Sequence, residues 1–486
     1  MKPLASTLFA VAFSSTVLSS AHAQTTTTDT VAVASTSLAA VGAVESAGTP
    51  PAISVLRDQA AIDTKSRVPT SDLPLASVGR VLNDAGIHPT LSLVQFYLAN
   101  PSLGEQTGNH EILTMFNLGF DLDLQKLAGV PGSKIHFQQL LAPVTSNTGY
   151  GGQVGDAIAG QSAPYLARKA HLTLFTLEQD FLGDRVEVEF GKSNAGNYFA
   201  LPVCNQPFGC TSPLLQENAA FNPPIYANWG GRVQYKFTPA FSVQAGMWQS
   251  HVAAPFTSGW EWSPDTPVSQ TYLANIAYRT DAANDAYAKS YEFLFFHNTA
   301  SQTDPYYTVN GLSKFVDTTS ASATHKGTSG LYAGGKQVFY RFNNGGAGSD
   351  QASLSAFGSV TSALSSTAAS GLQTSGNAGL AVQGLFASRP ADSYAIKATW
   401  VQLTSREQRY LQGASSSTAT VGRNEYGLGV DANFVLTRSI IVSPFALRAF
   451  HANNWQEPIT ATRPRNGYAY GVLCVVLLDK MVGLSE

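Results

Sequence analysis

The stretch ILTMFNLGFDL, residues 112–122, decides the predicted fold because its side chains alternate in character. In an extended chain, one face would carry Ile112, Thr114, Phe116, Leu118, Phe120 and Leu122, and the other Asn117, Gly119, Asp121 and Asp123. Successive side chains of a β-strand point to opposite faces. The stretch therefore predicts a strand with hydrocarbon on one side and water on the other.

The same alternation returns with charge in RVEVEF, residues 185–190, where Val186, Val188 and Phe190 oppose Arg185, Glu187 and Glu189. A cation on a lipid-facing midplane costs roughly 2 to 4 kcal/mol, so the charged face must line water. The next two segments place Arg232 and Trp248 on the corresponding face. These segments predict a water-filled lumen.

Composition points the same way. Charged residues are 13% of the 486 positions, aromatic residues are 10%, and the formal net charge is −3. Soluble domains carry about 25% charged residues, so an apolar band facing lipid accounts for this composition better than a solvated surface does. The near-zero net charge argues against a nucleic-acid partner.

Sixteen alternating segments follow one another along the chain. They start near residues 90, 111, 133, 169, 185, 229, 241, 270, 286, 330, 351, 378, 392, 424, 440 and 467. Short turns interleave with long connections, as expected when short turns face the periplasm and long loops face the outside. The fold class predicted is therefore an all-β, 16-stranded antiparallel transmembrane barrel, with one long loop folded inward.

The chain divides into four predicted parts. Residues 1–23 combine an early cation, an apolar stretch and a small-residue cleavage site, which indicates a secretory signal peptide. Residues 24–70 are rich in Thr, Ala and Ser, which predicts a disordered periplasmic leader. Residues 71–86 are expected to hold a short periplasmic helix, and residues 87–486 are expected to form the β-barrel domain.

Two of the three cysteines, Cys204 and Cys210, are close together in one long loop. In an oxidising periplasm they are expected to form a disulfide. A zinc site is the competing interpretation, but it needs four ligands at spacings that are missing here. Cys474 is interpreted as a small apolar residue within a strand.

Five stretches resemble the OprB family of carbohydrate-selective porins. They are DLDLQKLAGVPGSKIHF (121–137), DRVEVEFGKSNAGNYFALPVCNQPFGC (184–210), GGRVQYKFTPAFSVQAGMW (230–248), ASRPADSYAIKATW (387–400) and NEYGLGVDANFVLTRSIIVSPFALRAF (424–450). The resemblance implies a sixteen-stranded outer-membrane channel that passes sugars or polyols down their gradient. Inward-folded loops would form a constriction of charged and aromatic side chains. The family is one of channels, so neither catalytic residues nor cofactors are expected.

Sugar hydroxyls and apolar ring faces call for polar groups beside aromatic rings along the path. The candidate path residues are Arg185, Glu187, Glu189, Asn197, Tyr198, Asn205, Phe208, Arg232 and Trp248. Their mixed charges suit a neutral solute, because a ring of one sign would select ions. Two alternatives stay open: Glu187 and Glu189 could serve only to pair with an arginine, and Trp248 could belong to an interfacial aromatic girdle.

Alternating strands also occur in barrels that are not channels. An outer-membrane hydrolase would also have alternating strands, although no G-x-S-x-G, HExxH or Walker motif occurs. A structural or receptor barrel would share the strands without conducting. A soluble β-sandwich fits poorly with the low charge. Besides solutes, the expected partners are outer-membrane lipids, and the protein is expected to be a monomer or a trimer.

The last segment departs from the pattern. Leu473, Val475 and Leu477 put apolar side chains into the phase that should face water, and the chain ends at Glu486 rather than at an aromatic residue. This predicts a final strand that closes the barrel less well, and an altered reading frame is one hypothesis for it.

Overall fold

The computed structural model describes residues 73–162, 169–204, 210, 212–219, 221, 226–250, 258–262, 269–280, 285–342, 352–365, 370–415, 420–460 and 462–485. The predicted signal peptide and leader, residues 1–70, lie outside the described residues. Within the segment expected to hold a short helix, the structure has helix α1 (Ala76–Asp84).

Sixteen strands form the wall of the molecule. In chain order they are β1 (Ile87–Asn100), β2 (Asn109–Asp123), β3 (Ser133–Thr145), β4 (Ala170–Phe181), β5 (Val186–Ser193), β6 (Asn228–Lys236), β7 (Phe241–Ser250), β8 (Ser269–Arg279), β9 (Lys289–Thr308), β10 (Ser322–Arg341), β11 (Ser353–Ala363), β12 (Leu372–Gln383), β13 (Ser393–Leu403), β14 (Asn424–Thr437), β15 (Ile440–Phe450) and β16 (Gly467–Leu477). Each strand pairs with its sequence neighbours, and β1 pairs with β16, so the sheet is a closed barrel. The predicted fold class is confirmed.

Short helices occupy the connections and the ends. Besides α1, the described residues include α2 (Leu124–Ala128), α3 (Tyr150–Val154), α4 (Pro213–Asn218), α5 (Ser405–Ala414) and α6 (Leu478–Val482), and a 3-10 turn at Ala195–Asn197. The alternation predicted none of the helices α2 to α6. Four of them have only five or six residues, and α5 (10 residues) lies in a connection that was predicted as a loop. Of the helices in the described ranges, none combines the length and apolar character needed to cross a bilayer.

The strand starts differ most from the predicted ones at β10 and β12. Strand β10 begins at Ser322 rather than near 330, and β12 begins at Leu372 rather than near 378. The added residues are mostly Ser, Thr, Gly and other small or polar side chains, so they carry no apolar alternation. The first part of β10 also shifts register against β9, with irregularities between Ser322 and Thr324 and between Lys326 and Thr328.

Burial along β2 follows the alternation that predicted the strand. Leu113, Met115 and Asn117 point inward and are buried, whereas Leu118 points outward and is 47% exposed. The outward row is the apolar one, which is the arrangement that a lipid environment favours.

The last strand closes the barrel with an apolar inner face. Strand β16 pairs with β1 from Ser92↔Leu477 to Ala99↔Tyr470, and with β15 over a similar length. Leu473, Val475 and Leu477 do point inward, but they are buried in an apolar cluster that also contains Phe96. The expectation that every inward face lines water is therefore wrong for this wall, and the apolar phase of β16 has a packing role.

Helices α1 and α6 meet beside this closing pair of strands. The backbone N–H of Leu75 donates to the carbonyl of Val482 at 2.8 Å. Gly79 lies against Gly483, where a Cβ would come within 2.2 Å of the Gly483 carbonyl oxygen. The residues before β1 and after β16 thus hold each other at the end of the barrel that carries the short turns.

We predict that Leu118→Arg destabilises the protein by about 2 to 4 kcal/mol, because Leu118 lies on the outward face in the middle part of β2. The matched variant Ile112→Arg, near the strand end, should cost about 0 to 1 kcal/mol, because a cation reaches water there. Urea unfolding in lipid vesicles, followed by tryptophan fluorescence, measures both. Equal costs at the two positions would contradict an outward face that spans hydrocarbon.

Candidate functional site

The connection between β5 and β6 enters the lumen directly after β5. The Asn194 side-chain oxygen accepts a hydrogen bond from the Gly196 N–H at 2.8 Å and caps the short 3-10 turn. Beyond the turn, the Ala200 N–H donates to a carboxylate oxygen of Glu292 on β9 at 2.8 Å. Phe199, between them, is fully buried. The start of the loop is therefore fixed to the inner wall rather than extended into solvent.

Farther along, the loop contacts strands on another part of the wall. The predicted disulfide between Cys204 and Cys210 is present, and it packs against Phe357 on β11 and Ala395 on β13. The Ser212 hydroxyl, which also caps α4, lies 2.7 Å from the Ser375 hydroxyl on β12. The described parts of this loop, which we call the constriction loop (residues 194–227), thus reach from β5 to β11–β13 and divide the lumen.

A second inward segment follows β3 and was not anticipated from the sequence. It contains α3 and the turn after it, in which Tyr150 is fully buried. The Gln161 amide donates to the Gln216 side chain of α4 at 3.0 Å, so this segment supports the constriction loop.

A pair of buried carboxyl groups holds the second segment to the wall. Asp156 accepts hydrogen bonds from the N–H groups of Ala159 and Gly160, and Glu425 on β14 accepts one from the N–H of Ala157. Both carboxyl groups are buried, and burial raises the pKa of Asp156 above its ordinary range. One carboxyl of the pair therefore holds a proton, since two adjacent buried anions would repel each other.

Trp248 lies under the constriction loop because two glycines make room for its ring. A Cβ at Gly230 would lie 2.2 Å from Trp248 Cδ1, and one at Gly246 would lie 2.5 Å from Cζ3. The indole N–H donates to the Ser193 hydroxyl at 3.0 Å, and the ring stacks on Tyr198 at 5.6 Å. Trp248 is only 2% exposed, so the girdle interpretation is wrong.

Arg232, Glu187 and Glu189 form one ion-paired cluster on the inner wall. Glu189 is the register partner of Arg232 across β5 and β6. The Arg232 guanidinium lies 2.9 Å from Glu189 Oε2, is also paired with Glu187, and stacks 4.4 Å from the centre of the Tyr198 ring. The Tyr198 hydroxyl donates to Glu189 at 2.6 Å. The carboxylates therefore do pair with an arginine, and the same pairing fixes a loop aromatic ring at the lumen surface.

A second charged cluster beside it was missed. Lys134 lies 2.5 Å from Glu178, and the His136 ring approaches Asp121 at 2.7 Å and Glu178 at 3.5 Å. The alternating charges of β3 and β4 could have indicated charged inner faces. The sequence does not give the register between the two strands, which brings Lys134 opposite Glu178.

These clusters line a cavity of about 540 Å³ on the β2–β8 side of the constriction loop. Its lining residues are His88, Asp121, Leu122, Asp123, Lys134, His136, Glu178, Glu187, Asn197, Tyr198, Leu201, Arg232, Gln234, Lys236, Ser242, Gln244, Asn275, Ala277 and Arg279. Each lysine or arginine in this set lies within 4 Å of a carboxylate. The surface offers both donors and acceptors with its charges already compensated.

Most of the candidate path residues come together here. Asn197, Tyr198, Glu187 and Arg232 line the cavity, and Glu189 and Trp248 support them from behind. Arg185 precedes β5, is exposed and does not line the cavity. Asn205 and Phe208 lie outside the described residues.

The carboxylates of Glu178, Glu187 and Glu189 approach within 4.8 Å of one another, a spacing that could hold a metal ion. Lys134 and Arg232 pair with the same carboxylates. The protein's own cations thus compensate the charge of the three carboxylates, and the cluster is an ion-pair network.

Comparison with known proteins gives concordant results. The sequence model of the carbohydrate-selective porin, OprB family, matches residues 111–452. Porin B of Pseudomonas aeruginosa is 24% identical over 221 residues, which are 43% of this chain and 47% of that protein, so the match spans about half of the relative's length. The high-pH structure of Pseudomonas putida OprB superposes with a TM-score of 0.71 at 19% identity and covers 82% of this chain and 95% of that one.

We predict that Arg232→Met destabilises the protein by about 3 to 5 kcal/mol, because it leaves Glu189, 1% exposed, without its cation. The double variant Arg232→Met/Glu189→Gln should recover part of that loss, since no buried anion remains. Urea unfolding of detergent-purified protein compares the two variants. Equal destabilisation would show that the charge pairing is not the cause.

The Asp156–Glu425 pair predicts a pH-dependent hold on the second inward segment. Because the pKa of Asp156 is raised in the folded protein, the stabilisation is complete below the ordinary aspartate value of about 3.9 and is lost as the pH rises through the raised value. Hydrogen exchange of amides 157–161 should therefore show lower protection factors at high pH than at low pH. In Asp156→Asn/Glu425→Gln, which leaves no ionisable group in the pair, this dependence should disappear. A wild-type protection that does not change with pH would contradict the prediction.

Proposed function

The chain belongs to the OprB family of carbohydrate-selective porins, and on that premise we propose that it is an outer-membrane channel for the passive diffusion of sugars or polyols. The observation that carries the proposal is the cavity beside the constriction loop, whose compensated charges flank the Tyr198 ring. A closed barrel of this size leaves an aqueous passage that inward loops narrow.

Recognition of a neutral solute follows from the chemistry of this surface. Sugar hydroxyls both donate and accept hydrogen bonds, and the ion-paired side chains of Glu187 and Arg232 offer partners of both kinds. The face of the Tyr198 ring suits the apolar side of a sugar ring. Because the cations and carboxylates are paired, an ion gains little there, and weak contacts let a solute leave again.

The remaining parts of the chain fit an exported protein. Residues 1–23 would direct secretion, residues 24–70 would form a periplasmic leader, and residues 87–486 would form the pore. Outer-membrane lipids would cover the outward row that includes Leu118. The protein would act as a monomer or a trimer.

An enzyme or a non-conducting barrel would behave differently from a channel. The family and the fold are those of channels, which favours transport over hydrolysis. Incubation with lipid and peptide substrates would reveal a hydrolase, whereas planar bilayers would reveal conductance.

We predict that proteoliposomes containing this protein swell in isotonic glucose faster than in a zwitterionic solute of equal size. The expected cause is the mixed hydrogen-bonding surface of the cavity. Empty liposomes are the control. Equal swelling rates for the two solutes would refute carbohydrate selectivity, and an absence of swelling and conductance would refute a channel altogether.

We also predict that Tyr198→Ala weakens the block of single-channel current by glucose several-fold, because the solute loses the aromatic face. Tyr198→Phe is the matched control, since it keeps the ring and removes only the hydroxyl that donates to Glu189. Its block should stay close to that of the wild type. An unchanged block in Tyr198→Ala would exclude the ring from the sugar path.

A further inference from the structure

A second cavity, of about 250 Å³, lies beside the disulfide of the constriction loop. Its lining includes Val203 and Cys204 from the loop, and Lys336, Phe357 and Asp431 from strands β10, β11 and β14. None of these residues belongs to the sugar path proposed above; Cys204 was named only for its disulfide. The cavity differs from the first one in its balance of charge.

Lys336 lines this cavity and is not ion-paired with any described residue. It is the register partner of Phe357 on β11, whose ring packs against the disulfide. Among the described residues, no carboxylate lies within 4 Å of the Lys336 ammonium group and no acceptor takes a hydrogen bond from it. Its charge is therefore available to a solute in the cavity.

Lys397 places a second ammonium group behind the wall of the cavity. It follows two residues after Ala395, which lines the cavity, and its own side chain is buried at 3% exposure. The side chain lies over Gly429, where a Cβ would approach Lys397 Cε at 3.2 Å. Its ammonium group donates to Cys210 Sγ at 3.3 Å, and sulfur is a weak acceptor.

Asp431 is the one carboxylate among the residues that line this cavity. Lys289, which also lines the cavity, pairs with Asp285 at 3.1 Å. Neither Lys336 nor Lys397 has a carboxylate within 4 Å in the described part of the chain, whereas every lysine and arginine of the first cavity does. A buried charge is costly unless it is paired, so an entering anion would be stabilised here.

We propose that Lys336 and Lys397 form an anion subsite that binds the carboxylate of sugar acids, such as aldonates and uronates, as they pass the constriction loop. The hydroxyl-bearing part of the solute lies against Phe357 and the serines of the wall, Ser290 and Ser355. The inference rests on the proposed sugar channel and extends it to acidic sugars. The lysines attract the carboxylate. Because the cavity is exposed to water, binding stays reversible.

The experiment measures block of single-channel current by gluconate, by glucose and by glucose 6-phosphate in planar bilayers. In Lys336→Gln/Lys397→Gln, the gluconate concentration for half block should rise at least tenfold, and that for glucose should stay unchanged. The matched control, Lys169→Gln/Lys326→Gln, removes two exposed cations and should leave both values unchanged. Mobility on an unboiled gel equal to that of the wild type verifies that the variants fold.

Several results would overturn the inference. They are an unchanged gluconate block in the Lys336/Lys397 variant, an equal loss in the control variant, or a block confined to glucose 6-phosphate. A shift in the KCl reversal potential without any change in the gluconate-to-glucose ratio would indicate general attraction of anions and would also overturn it. If wild-type protein passes neither glucose nor ions, the proposed function itself fails, which is a separate outcome.

Discussion

The structure depends on hydrogen bonding every backbone group of the wall to a neighbouring strand. Hydrocarbon offers no partner to an N–H or a carbonyl, so a sheet in a bilayer must close on itself. Here the pairing of β1 with β16 completes the ring. The inward apolar residues of β16, unexpected in a water-filled barrel, pack with Phe96 beside that pairing. The strands that close the barrel thus have an apolar, buried inner face.

Once the ring is closed, every second side chain points into a confined space that loops can occupy. The constriction loop enters this space at the Glu189–Arg232 pair and reaches the opposite strands at the disulfide. Tyr198 links the loop to the wall through a hydrogen bond to Glu189 and a stacking contact with Arg232. Tyr198 and Arg232, which hold the loop, therefore also line the cavity of the proposed solute path.

The loop separates two lumen surfaces with different electrostatics. On the β2–β8 side, lysines and arginines are paired with carboxylates, which favours neutral, hydroxyl-rich solutes. On the other side, Lys336 and Lys397 have no carboxylate within 4 Å in the described part of the chain, which is the basis of the proposed anion subsite. In the proposed channel, the two surfaces would offer different contacts to neutral and acidic sugars without a change in fold.

The sequence by itself determined the barrel, the strand number, the lipid and lumen faces of β2 and β5, and the disulfide between Cys204 and Cys210. These follow from period-two alternation and local spacing, which are properties of neighbouring residues. Tertiary structure alone decided which distant residues meet: Asp156 with Glu425, Lys134 with Glu178, and Trp248 in the groove of Gly230 and Gly246. Strand register and loop path determine those contacts, and the alternation within a single strand predicts neither of them. Arg185 is in phase with Glu187 and Glu189, but it precedes β5, which begins at Val186. It therefore lies outside the cavity.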